Sequence, residues 1–291
     1  GLVGMGGVVA LGRGALLGAR GNSGVILSQF LRGFSEGMSD SCELGVFEFS
    51  AALSAAAEVA YQAVTDPVEG TILTVARDAG LAATSAASHS DSIEDLLAVV
   101  VDASRESVAN TPSQLAVLAE AGVVDAGGQG LQVIFEGMLR FVRGEALPEL
   151  VEGDVSSHVS VAFAEAHQND SHGYCTEFIV RGSSLDAGVL HGELESLGDS
   201  LLVVGDSQLV RVHVHTERPG DVVNMALAHG QNSHVAHCLW APFPSGERLV
   251  GLEYSRRERH HRFTQCWRSV YLRHRRLGSR ADPLKYHHQR Q

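Results

Sequence analysis

The sequence predicts an α+β protein in which a helical part spanning residues 1–150 precedes a smaller α/β part with a ferredoxin-like order of elements, residues 151–233. Through residue 145, Ala, Leu and Val recur at spacings of three and four, with Gly or Pro between the segments. Beyond residue 171 the apolar period becomes two, the signature of strands with one apolar face. Between them, 144–171 is polar, rich in Glu, Ser and His, and broken by Pro148 and Gly153, which suits a linker with a boundary near 155.

In the first part the periodicity predicts helices near 23–39, 46–64, 70–87, 92–109, 112–120 and 128–143. Thr111-Pro112-Ser113-Gln114 reads as a helix start, with a hydroxyl at the N-cap, proline at N1 and an amide side chain at N3. Ser92 with Asp95 suggests another start. In the second part, Tyr174, Phe178 and Val180 alternate with Cys175, Glu177 and Ile179, and Val210, Val212 and Val214 alternate with Arg211, His213 and His215. A helix over Leu185–Leu197, a short strand over Leu201–Val204 and a helix opened by Pro219 complete a β-α-β-β-α order. Residues 233–240 are the candidate closing strand, although their alternation is weak.

Three glycine-containing loops precede helices. Ala19-Arg20-Gly21-Asn22-Ser23-Gly24 can bring backbone N–H groups and two small polar side chains to an anion at a helix start. Val124-Asp125-Ala126-Gly127-Gly128 opens another helix, with Asp125 as an acceptor for a ribose or an amine, and Asp66–Leu73 brings Thr71 to a third. Each alone is equally an ordinary cap or corner. Together, at the same end of several helices, they predict a shared ligand rim.

The segments GARGNSGVILSQFLRGF, DPVEGTILTVARDA and TPSQLAVLAEAGVVDAGGQGLQVIFEGM resemble, in order and separation, the kinase domain of fatty acid kinase A, a relative of the nucleotide-binding subunit of dihydroxyacetone kinase. That resemblance implies an up-and-down helical barrel holding ATP at one end, with Gly21, Asn22, Ser23 and Gly24 at the phosphates and Thr71, Asp125 and Gly127 around the nucleotide. It also implies magnesium held by aspartates of a DGDTG-type motif, and no such motif occurs in these 291 residues. The expectation is a barrel lacking its first helices, with impaired phosphoryl transfer, because such transfer depends on metal-assisted charge compensation. Apolar faces left open by missing helices would favour association, a homodimer in the simplest case.

His213 and His215, two apart on a strand, share one face, and Cys175 sits on the corresponding face of another strand. In a ferredoxin-like unit these strands are neighbours, so all three fall on the face that its two helices leave uncovered. A thiolate with two imidazoles suits zinc, while a solvated strand face is the alternative. The segments GYCTEFIVRG, LESLGDSLLVVGD and LVRVHVHTERPGDVVNMALAHG resemble the middle domain of fatty acid kinase A, and the resemblance implies that this cysteine and these histidines bind zinc. Glu177, His172 or water is the candidate fourth ligand. His89, His158, His167, His191 and His229 carry no assigned role.

Residues 1–233 hold 10 Lys and Arg against 30 Asp and Glu, an acidic body that argues against nucleic-acid binding. Residues 234–291 hold 12 against 4, with seven histidines and both tryptophans. Such an arm could bind an acidic surface, but the abrupt change of composition is read as a shifted reading frame, leaving a basic tail outside the family. Four widely spaced cysteines provide no disulfide framework, and no apolar run is long enough to span a bilayer, so a cytoplasmic location is expected. The function implied is an ATP-dependent kinase component that forms an acyl phosphate on a fatty acid presented by a fatty-acid-binding partner protein. The alternatives are a dihydroxyacetone (glycerone) kinase-like enzyme and a non-catalytic, zinc-bearing nucleotide-binding module.

Overall fold

The computed structural model describes residues 5–38, 45–146, 174–239 and 252–254. The expected linker and most of the basic tail, with His158, His167 and His172, lie outside them. The first part is helical: α1 Met5–Gly18, α2 Gly21–Gly37, α3 Val46–Gln62, α4 Ile72–Ala86, α5 Ile93–Gln114, α6 Ala116–Ala121 and α7 Ala126–Val142. Phe30, Phe34, Phe49, Leu53, Leu73, Val75, Leu96, Val100, Leu131 and Phe135 meet in one buried core contributed by α2 to α5 and α7. Among the described residues no helix is long and apolar enough to cross a membrane.

Two helical expectations need correction. The sequence predicts no helix before residue 23, yet α1 forms despite five glycines, and one of them has a packing use. A Cβ on Gly12 would come within 3.4 Å of the Arg32 backbone, so its small size allows α1 to cross closely over α2. The Thr111-Pro112-Ser113-Gln114 segment does not start a helix; α5 continues through Pro112 and ends at the extended Leu115. Proline removes the N–H that Val108 O would accept, and Thr111 Oγ1 donates to that oxygen instead, at 2.7 Å. Ser92 does cap α5, accepting from the Asp95 amide at 3.1 Å.

The second part contains β1 Tyr174–Arg181, α8 Ala187–Leu194, β2 Asp199–Gly205, β3 Leu209–Thr216, α9 Pro219–Ala226, β4 Gln231–Leu239 and β5 Leu252–Tyr254. The strands form one antiparallel sheet in the order β2-β3-β1-β4-β5. The first four in that order, with α8 and α9, reproduce the split βαβ arrangement. The closing strand is therefore present, and it passes through residue 234, where the sequence places the start of the tail.

One face of the sheet is apolar: Phe178, Val180, Val210, Val212 and Val214 pack against Leu190 and Leu194 of α8 and Val222 and Ala226 of α9. The other face, expected to be uncovered, is not left open. Ile179, Leu202, Val204 and Leu209 pack on Leu16, Ala19 and Val25 at the corner between α1 and α2. Both faces are covered because the helical part supplies a second layer.

Close helix crossing makes a testable claim. A Cβ on Gly33 of α2 would lie 2.6 Å from Ala55 O and 2.8 Å from Val59 Cβ on α3, whereas one on Gly137 of α7 would meet nothing within 4 Å. Gly33→Ala should lose about 1–3 kcal/mol in urea unfolding through overpacking. Gly137→Ala should gain up to roughly 1 kcal/mol from helix propensity. Equal effects of the two substitutions would contradict the α2–α3 packing.

Candidate functional site

The three glycine-containing loops meet. Asp125 is the N-cap of α7: its Oδ2 accepts from the Gly128 amide at 2.6 Å, and the carboxylate also accepts from the Ile72 amide at the start of α4. A Cβ placed on Gly127 would fall 3.2 Å from Asp125 Oδ2, 3.2 Å from Ser23 Oγ and 3.3 Å from Ile72 Cβ. Ser23 at the start of α2, Thr71-Ile72 at the start of α4 and Asp125–Gly127 at the start of α7 therefore share one spot. Asn22 and Ser23 are exposed there. Burial pushes the Asp125 carboxyl above its ordinary value, against the opposing effect of the two amide donors.

Each loop is fixed locally. Gly21 and Gly70 have φ of +62° and +80°, the left-handed region that a side chain disfavours. Thr71 caps α4, accepting from the Leu73 amide at 3.3 Å, and the Gly70 amide donates to Thr74 Oγ1 at 2.8 Å. Gly24 packs on Ala19 without crowding. Thr111 Oγ1 accepts from the Asp125 amide at 3.0 Å, tying the end of α5 to the start of α7.

A network absent from the sequence reading braces the Gly70 corner. Glu69 accepts from Arg77 Nη1 at 2.7 Å, Thr74 Oγ1 at 2.8 Å and Tyr61 Oη at 3.1 Å. Burial raises Glu69, but these hydrogen bonds outweigh it and hold the carboxyl below its ordinary value. The Tyr61 hydroxyl is pushed up to about 12, chiefly by burial, with the Arg77 charge opposing and Glu69 adding to the rise. Only the spacing of Glu69, Arg77 and Asp78 could have hinted at this.

On the covered sheet face, the ligand atoms of Cys175, His213 and His215 lie within 4.8 Å of one another. The register explains the gathering, because Cys175 pairs with His215 and Glu177 with His213 across β1 and β3. Cys175 is a buried thiol, with Sγ 4.0 Å from His213 Nδ1, and His213 is 1% exposed, so this is not a solvated face. Glu177 is not a fourth member of the cluster. It stands behind His213, with Oε1 2.9 Å from Nδ1, while His213 Nε2 is buried with no hydrogen-bond partner among the described residues. An orphaned imidazole nitrogen on a ring oriented by a carboxylate is the donor arrangement of a carboxylate–histidine–metal site, and with a neighbouring thiol it fits zinc. An open cavity of about 320 Å³ lined by Glu195, Asp199, His215, Thr216, Glu217 and Arg218 adjoins the cluster at His215.

Glu177 and Arg211 also join the two parts of the chain. Arg211, 1% exposed, pairs with Glu177 Oε2 at 3.1 Å and donates to the carbonyls of Leu16, Leu17 and Ala19 at the end of α1. Glu177 Oε1 accepts from the Gly21 amide, the first residue of α2, at 2.5 Å. Burial lowers the Arg211 value, with Glu177 opposing. Burial raises Glu177, but the hydrogen bonds from His213 and Gly21 and the nearby positive charge hold it below its ordinary value. Strand parity places Glu177 and Arg211 beside Cys175 and His213 in the sequence; their contacts to the corner between α1 and α2 are not legible there.

Residues 6–140 match the family model described as the DAK2 domain, and residues 171–236 match the one described as the middle domain of fatty acid kinase A-like proteins. Among curated relatives, Protein YloV of Bacillus subtilis (strain 168) is 43% identical over 235 residues, covering 76% of this chain and 42% of that protein. An uncharacterized protein of Staphylococcus epidermidis (strain ATCC 12228 / FDA PCI 1200) is 42% identical over 236 residues, covering 75% and 41%. An uncharacterized protein of Staphylococcus saprophyticus (strain ATCC 15305) is 41% identical over 228 residues, covering 75% and 41%. The chain thus spans about two fifths of the length of these relatives.

The capping role of Asp125 can be separated from its charge. Because its folded value is raised, its ionisation opposes folding, and this loss grows as pH rises from the ordinary aspartate value through the raised one. In urea unfolding from acid to neutral pH, the parent should lose stability relative to Asp125→Asn across that window. Asp125→Ala, which removes the cap, should cost about 1 kcal/mol. A parent that gains on Asp125→Asn as pH rises would contradict the burial of this carboxyl.

Proposed function

The chain belongs to the family in which a DAK2 domain is followed by a fatty acid kinase A-like middle domain, and on that premise we propose that it binds ATP where the starts of α2, α4 and α7 meet. The observation that carries this reading is the convergence of Ser23, Ile72, Asp125 and Gly127 on one spot. Exposed Asn22 and Ser23 would donate to phosphate oxygens at the positive end of α2, and Gly21 and Gly24 would let that backbone come close. Thr71 and Gly127 would border the nucleotide. Asp125, engaged with two amides, would set the spacing between α4 and α7 around it.

In the intact system the reaction we propose is phosphoryl transfer from ATP to the carboxylate of a fatty acid carried by a separate binding protein, giving an acyl phosphate. Magnesium would accompany the nucleotide and neutralise its phosphates. A DGDTG-type aspartate run does not occur in this sequence, and that favours a second reading for the chain taken alone, a nucleotide-binding module without turnover. Cys175, His213 and His215 would hold zinc, which supplies rigid cross-linking of β1 to β3.

Gly127→Val would fill the spot beside Ser23, and it should weaken binding of a fluorescent ATP analogue by at least about tenfold, near 1.4 kcal/mol. Unchanged affinity would contradict the location. The parent chain should bind ATP without phosphorylating an acyl-loaded partner, and measurable acyl phosphate would overturn the second reading. Purified chain should retain about one zinc, held by three protein ligands with the fourth position open, and Cys175→Ser should sharply lower that content in metal analysis. Equal zinc in the variant would defeat the metal assignment.

A further inference from the structure

We propose that Glu177 is a positioning residue shared by two sites, so that zinc at Cys175, His213 and His215 orders the Gly21–Ser23 loop through this one carboxylate. The inference rests on the zinc and nucleotide assignments above and goes beyond them by linking the two. Its basis is the division of labour within the carboxylate: Oε1 meets both His213 Nδ1 at 2.9 Å and the Gly21 amide at 2.5 Å, while Oε2 takes Arg211 at 3.1 Å. The imidazole nitrogen that Glu177 does not hold, Nε2, is buried with no hydrogen-bond partner among the described residues, so a metal taken there, rather than at the Nδ1 that lies 4.0 Å from Cys175 Sγ, leaves the carboxylate contact in place.

A metal bound through Nε2 fixes the His213 ring, and an imidazole polarised by a cation donates more strongly from its other nitrogen. Glu177 is then confined, and its acceptor for the Gly21 amide is confined with it. Gly21 opens α2, and Ser23 lies two residues on, at the spot shared with Gly127. Arg211 closes the loop from the other side by donating to Leu16, Leu17 and Ala19 carbonyls, so the loop between α1 and α2 is gripped at both ends by residues of the sheet. Coupling of this kind is reciprocal: a nucleotide that orders the loop tightens zinc by the same factor.

The test follows the Gly21 amide proton by hydrogen exchange in the full chain, with zinc sulfate added or removed by a chelator. In the parent, zinc should slow Gly21 exchange by about tenfold, as expected for a locally ordered loop. In Cys175→Ser, which leaves the Glu177 contacts intact, zinc should have no effect. Glu177→Gln should bind zinc roughly 10–100-fold more weakly in chelator competition, as loss of an outer-shell partner does, and should show no zinc-dependent protection even at saturation. If Glu177→Gln does not fold, the parent and Cys175→Ser comparison decides alone. Zinc uptake without protection of Gly21 in the parent, or equal protection in a folded Glu177→Gln, overturns the coupling while leaving the zinc site standing. A parent chain that takes up no zinc overturns both.

Discussion

The buried pair of Arg211 and Glu177 is the interaction on which the rest of the molecule depends. Both lie on a strand face that in an isolated ferredoxin-like sheet would meet water, and both are buried because α1 and α2 cover it. A buried ion pair is stable only when its remaining hydrogen-bonding capacity is met. Here three main-chain carbonyls, one amide and one imidazole meet all of it except at Arg211 Nε, which is buried with no hydrogen-bond partner among the described residues. The carbonyls belong to the last turn of α1 and its exit, where the partial negative charge of a helix end favours a guanidinium. The amide belongs to the first turn of α2, where a carboxylate is favoured for the opposite reason. Opposite charges of one pair thus address opposite helix ends, which fixes the orientation of the corner on the sheet.

That docking sets the environment of everything near it. It excludes water from Cys175 and His213 and keeps the His213 ring in one orientation. It also fixes the entrance to α2, whose first turn carries Asn22 and Ser23. On the far side of this turn, Asp125 performs a similar task with a single carboxylate, joining the starts of α4 and α7. The candidate nucleotide spot therefore lies between two carboxylate-centred junctions, one reaching the sheet and the other within the helical part.

Much of this was legible in the sequence, and the exceptions have physical causes. Period two in Tyr174–Arg181 and Leu209–Thr216 correctly put Cys175, His213 and His215 on one face, because side-chain parity is a local property of strands. Whether that face is wet is not local, since it depends on a layer contributed by residues more than 150 positions away, as the Gly21–Glu177 contact shows. Loops at helix starts are visible as glycine and small polar residues, but that Asp125 engages the amides of both Gly128 and Ile72 is not, because Ile72 lies far from it in sequence. Thr111-Pro112 misled for a similar reason: the hydroxyl that would cap a new helix instead replaces the hydrogen bond proline removes from Val108 and receives the Asp125 amide. Glycine content hid α1, whose formation follows from packing against α2 rather than from propensity.

The central claim is that three helix starts make one nucleotide site. A crystal structure of the chain with zinc and a non-hydrolysable ATP analogue addresses it most directly. The account expects the phosphates to lie within hydrogen-bond reach of Asn22 and Ser23, with the nucleotide bordering Thr71 and Gly127. A nucleotide bound elsewhere, for instance in the cavity beside His215, would contradict it.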